Sequence, residues 1–185
     1  TKFHSGAGYQ YEDSVIYGFT HTNKGHWNLC HIPLLPVTGT PTPGDYCSPF
    51  SHERESAAPG YYQVFLDRYG VDAQLSSTLR CAFHKYTYPA GAAPAVLADL
   101  QRSNEHVRAW DIRKEGDNVF AGWQQTGEKM YFYAVANRPV TGIEPVVEGD
   151  REVRIVRFGE GDGALELRIG FSFVSEENAR KNLEA

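Results

Sequence analysis

Residues 165–173 constrain the fold more than any other stretch. Leu165, Leu167, Ile169, Phe171 and Phe173 alternate with Glu166, Arg168, Gly170 and Ser172. A period of two puts one set of side chains on a single face of an extended strand and the other set on the opposite face, whereas a helix would scatter both around its circumference. Two further runs behave alike: Tyr62, Val64 and Leu66, then Val71, Ala73, Leu75 and Leu79. Arg68-Tyr69-Gly70 lies between them, and Gly70 can supply the positive φ of a tight hairpin. Strands are also expected over 81–88, 95–100, 107–113, 118–123, 130–136 and 152–158, separated by Gly, Pro, Asn and Asp clusters. Many short strands with turn signals between them predict an all-β chain, a sandwich of two antiparallel sheets or a barrel.

The chain has 185 residues, 41% of them hydrophobic and 13% aromatic, enough for one domain with a sizeable core. The net charge of −5 is spread along the chain, without the basic stripe of a nucleic-acid binder, and no apolar run is long enough to span a bilayer. The only methionine is Met130, so Thr1 is not a translation start, and a signal peptide would lie outside the sequence. Residues 175–185 read as the opening of a helix: Ser175 can cap it, and Glu176 and Glu177 suit its dipole. Both ends suggest a piece of a longer protein. Three cysteines, Cys30, Cys47 and Cys81, cannot all pair within the chain.

Residues 18–60 are rich in Gly, Pro, His, Asn and Thr and have little periodicity, and a long irregular stretch inside a domain is often functional. Its densest part runs from Gly18 to His31 and holds His21, Asn23, His26, Trp27, Asn28, Cys30 and His31. An aromatic ring can stack on the C–H face of a pyranose while amides and imidazoles bind its hydroxyls. The same residues could instead cap turns. His21, His26, Cys30 and His31 could also be ligands of a transition metal, although their spacing matches no known zinc motif. A second cluster, His52 beside Glu53, could do acid–base work or simply form a charged turn. Glycoside hydrolysis needs two placed carboxylates, and no spacing here pairs any two. Trp110 and Trp123, and the alternating Tyr86, Tyr88, Tyr131 and Tyr133, read as packing residues in strands.

Several segments in order carry a family resemblance. Gly18-Phe19-Thr20-His21-Thr22, Pro33-Leu34-Leu35-Pro36, Phe50-Ser51-His52-Glu53 with Pro59-Gly60-Tyr61-Tyr62, Phe83 to Pro89, and Gly170 to Ser175 with Asn178-Ala179-Arg180 resemble the amino-terminal domain of glycoside hydrolase family 92. The resemblance implies a large two-sheet β-sandwich over 1–174, its amino-terminal part incomplete, and over 175–185 the start of a helical linker to a catalytic domain absent from this chain. It implies a calcium-dependent, inverting exo-α-mannosidase, secreted or at a bacterial cell envelope, acting on α-mannoside glycans. General acid, base and calcium ligands belong to the partner helical domain, so the resemblance implies no cofactor in this chain and no activity by the chain alone. The sandwich lends residues to the substrate cleft: Trp27 as a sugar platform, His21, Asn23 and Asn28 as hydroxyl partners or loop locks, and His52 and Glu53 as residues that orient the loop. The segment 23–29 is shorter than its family counterpart, so an α-1,2 preference does not carry over, and an anionic substrate group met by Lys24 stays open. Two readings from other classes compete: a stand-alone carbohydrate-binding module and a metal-dependent sandwich enzyme.

Overall fold

The alternating runs pair as antiparallel strands, and their apolar faces meet across a common core. The structure is a computed structural model and describes residues 10–22 and 30–185. In chain order the strands are β1 (Val15–Ile16), β2 (Leu34–Val37), β3 (Ser48–Pro49), β4 (Glu55–Ala58), β5 (Tyr61–Leu66), β6 (Val71–Ser77) and β7 (Cys81–Thr87). They continue with β8 (Ala95–Ala98), β9 (Ala109–Gly116), β10 (Val119–Gln125), β11 (Lys129–Ala136), β12 (Val140–Glu148), β13 (Arg151–Phe158) and β14 (Leu165–Ser172), before helix α1 (Glu176–Glu184).

Eight strands form one sheet in the order β4-β5-β6-β7-β14-β11-β10-β9, and four form a second in the order β12-β13-β8-β2. The large sheet buries Val64, Leu66, Val71, Ala73, Tyr86, Phe132, Leu165, Leu167 and Ile169, each Val, Leu, Ile or Phe side chain contributing about 1.5–3 kcal/mol on burial. Phe120 of the large sheet meets Phe158 of the small one edge-on at 6.2 Å. Every residue of β8 is buried, so the small sheet is covered on both faces there. Both edge strands of the small sheet carry a proline, Pro36 in β2 and Pro145 in β12. A missing N–H is tolerated at such edges when it faces outward.

The outward face of β14 receives α1. A Cβ on Gly170 would lie 2.1 Å from the Ala179 carbonyl oxygen, so only glycine admits the helix this close. Ser175 caps it as expected, its hydroxyl accepting from the Asn178 N–H at 3.1 Å, and Arg113 of β9 pins the first turn through Glu176 at 2.7 Å. Gly70 takes the expected positive φ (65°) between β5 and β6. Several expectations change. Phe173 lies past the end of β14 and is 53% exposed, and Leu79 lies beyond β6 and is 93% exposed. Strand β12 was not expected, because Gly142 and Pro145 interrupt its pattern.

Candidate functional site

An open groove of about 1040 Å³ lies where β6 ends, β7 begins and β14 runs out into α1. Its walls include Thr20, His21 and Thr22, Tyr62 of β5, His84 of β7, and Asn178, Lys181 and Asn182 of α1. Four of its lining residues, Tyr61, Leu79, Phe173 and Val174, are exposed large apolar side chains. Among the described residues no Asp or Glu lines it.

The groove floor holds a relay of three side chains. Ala82, His84 and Tyr86 share the inward face of β7, and Phe19 pairs with Leu34 to bring His21 against them. His21 Nδ1 lies 2.9 Å from the Ile32 carbonyl, which can only accept, so Nδ1 carries the proton. Neutral His21 therefore accepts at Nε2, and His84 Nε2–H donates to it across 3.2 Å. His84 Nδ1 in turn accepts from the Tyr86 hydroxyl at 2.6 Å. The partners thus set one proton order for the neutral pair. Burial lowers His21 to about 4. Burial, then the neighbouring His21, pushes His84 well below the ordinary histidine range. Both ring nitrogens of His21 are engaged within the protein, so its imidazole offers the groove a face. Phe171 packs against that ring with centroids 4.5 Å apart.

A second polarised chain begins at Thr22. Its hydroxyl donates to His31 Nδ1 at 2.6 Å, His31 Nε2–H donates to Thr126 Oγ1 at 3.1 Å, and the Thr126 hydroxyl donates to Glu105 Oε2 at 2.5 Å. His31 and Thr126 are fully buried. Next to this chain the Ile32 N–H donates to Gln124 Oε1 at 2.7 Å. Ile32 has φ 53°, a left-handed backbone that a β-branched residue adopts only under strain.

The model of the glycosyl hydrolase family 92 N-terminal domain matches residues 1–179. The chain belongs to glycoside hydrolase family 92. Its fold is similar to that of a family 92 α-mannosidase from Bacteroides thetaiotaomicron solved with mannoimidazole (TM-score 0.86, 23% identity, 99% of this chain and 29% of that one). A family 92 inverting mannosidase from the same organism gives a TM-score of 0.77 at 24% identity, over 95% of this chain and 26% of its own. The family 92 glycosyl hydrolase ccman5 gives 0.77 at 25% identity, over 95% and 28%. No curated protein matches the chain. The chain spans less than a third of the length of each of these three proteins.

Within this family 92 domain the expected site residues separate. Asn23, Trp27 and Asn28 lie outside the described residues, as does His26. His21 lies on the groove wall. His52 sits in a 3-10 turn (His52–Arg54), away from the groove lining. Its Nδ1 faces the Glu55 carboxylate at 2.6 Å and its Nε2 the Tyr11 carbonyl at 2.6 Å, so both nitrogens can donate when the ring is protonated, which favours the imidazolium. The Glu55 hydrogen bond raises its pKa, and Tyr11 stacks on it at 4.1 Å. Glu55 also accepts from the Tyr62 hydroxyl at 2.6 Å, which ties this ion pair to the groove wall. Glu53 is exposed, its N–H capped by Ser51.

His84, Thr126 and Glu105 escaped sequence reading. The one available signal was a histidine at an inward strand position, with Ala82 and Tyr86 on the same face. Among the described residues no three His, Cys, Asp or Glu side chains gather in a group that could hold a metal ion.

Proposed function

We propose that this family 92 domain forms one wall of the substrate cleft of an exo-acting α-mannosidase and supplies neither its general acid nor its base. The carrying observation is the groove itself. It is bounded by Thr22, where segment 23–29 with Trp27 begins, yet among the described residues no carboxylate lines it. Inverting hydrolysis uses two carboxyls roughly 6.5–9.5 Å apart to admit a water, so the acid and base come from the remainder of the polypeptide. The apolar rim of Tyr61, Leu79, Phe173 and Val174 suits contact with that remainder. Family membership further supports calcium held by the catalytic domain, secretion or residence at the cell envelope, and α-mannoside glycans as substrates. In this reading His21 braces the wall through its ring face, the 175–185 helix leads toward the catalytic domain, and Trp27 is the sugar platform.

Two measurements test it. The 185-residue chain with calcium should release no mannose from an aryl α-mannoside; turnover would overturn the division of labour. In the complete enzyme Trp27→Ala should lower kcat/KM about tenfold, the loss of ~1.4 kcal/mol, mostly through KM. Unchanged kinetics would remove the platform role, and mannoside binding by the chain from a gene that encodes no catalytic domain would favour a stand-alone module.

A further inference from the structure

A second concavity, of about 610 Å³, opens beside β9 between residues 101–110 and Arg151 and shares no lining residue with the groove. Its size suits one or two pyranose rings. Trp110 of edge strand β9 lines it half-buried, its ring held by the core on its inner side and by the Arg154 guanidinium 5.3 Å from its centroid. The Trp110 indole N–H makes no hydrogen bond among the described residues. The side chains of His106 and Arg108 are exposed and likewise have no polar partner there.

Other lining side chains are held by hydrogen bonds. Arg151 Nη2 donates to the buried Asp99 carboxylate at 2.7 Å, and Glu105 accepts from Thr126. We propose that this cleft is a second glycan-binding site that seats a neutral pyranose against Trp110. A sugar hydroxyl both donates and accepts, and the cleft offers both kinds of partner: Arg108, Arg151 and the indole as donors, and the Glu105 carboxylate as acceptor. That carboxylate would repel a sulfate or phosphate. Preorganised side chains around one fixed aromatic also limit the entropy lost on binding. The choice of mannose as probe rests on the family reading; the site rests on the residues above.

The cleft also touches the far end of the chain that starts at Thr22. The path Thr22–His31–Thr126 reaches Glu105, so the groove wall and the cleft are joined by one hydrogen-bonded path whose middle is buried.

The test follows indole N–H signals of the ¹⁵N-labelled 185-residue chain during titration with methyl α-mannoside and a mannan oligosaccharide. Trp110 should shift saturably, and Arg108→Ala should weaken that binding about fivefold without changing the melting temperature, consistent with loss of an exposed hydrogen bond. Trp27→Ala should leave the Trp110 response intact, and sodium sulfate should not compete. A shift at Trp27 alone would overturn the second site while leaving the groove reading untouched. Competition by sulfate at constant ionic strength would overturn the neutral-sugar assignment, and a Trp110 shift insensitive to Arg108→Ala would overturn the proposed contacts. Trp110→Phe, which keeps an aromatic ring at the position but removes the indole reporter, is followed through the backbone amides of residues 101–110 and provides the second variant: loss of saturable binding is expected, and binding at unchanged strength would remove Trp110 as the platform.

Discussion

His21, His84 and His52 respond to pH in opposite directions. An unfolded histidine titrates near 6.5. Folded His21 titrates near 4 and His84 is also well lowered, so between about 6.5 and 4 the unfolded chain takes up protons that the folded chain refuses. Their contribution is present above pH 6.5 and is lost as the pH falls toward 4, with His21 alone worth about 3 kcal/mol over that window. His52 is raised instead. Its contribution is present below 6.5 and fades as the pH rises through its folded value, and solvent keeps it small. Urea unfolding should therefore show stability falling from pH 7 to pH 4. In NMR titrations the His52 ring should move above pH 6.5, while His21 and His84 stay neutral well below it. An ordinary midpoint for His21 would contradict the relay. The relay was illegible in the sequence because an inward histidine on a strand looks like any other core position; only the approach of residue 21, 63 positions away, gives it a partner.

At the scale of elements, Gly170 decides whether α1 docks. Gly170→Val would drive a side chain into the Ala179 carbonyl and the Leu183 side chain. The expected loss is about 2–3 kcal/mol, within the range for overpacking, read as a lower urea midpoint and as faster amide exchange confined first to α1. Strands with strict alternation, β5, β6, β11 and β14, were legible because one face of each packs into the apolar core while the other carries mainly polar, small or aromatic residues. The Ser175 cap was legible for a local reason, since its hydroxyl needs only the next turn of chain. Strand β2 was not, because its four residues are all buried and alternate in nothing. Nor was β12, where Gly142 and Pro145 hide a strand that its partner β13 imposes. Tertiary pairing, not local preference, makes both.

Across the whole molecule, Asp99 joins segments distant in sequence. Its carboxylate is fully buried and takes the Tyr46 hydroxyl and Arg151, each at 2.7 Å, with Arg102 at 3.4 Å. Asp99→Ala would strand these groups, costing at the lower end of about 3–5 kcal/mol because Arg151 keeps some water; a melting temperature unchanged in the variant would contradict this account. Of the candidate site, the sequence drew attention to the segment around His21 but not to its partners, because proton order and groove shape arise only after residues 19–22, β7, β14 and α1 converge. Finally, the small sheet is bordered on both sides by strands interrupted by proline, Pro36 and Pro145. A sheet so bordered is a poor template for a further strand from another molecule. Where molecules crowd together, the small sheet is therefore a poor seed for fibrils.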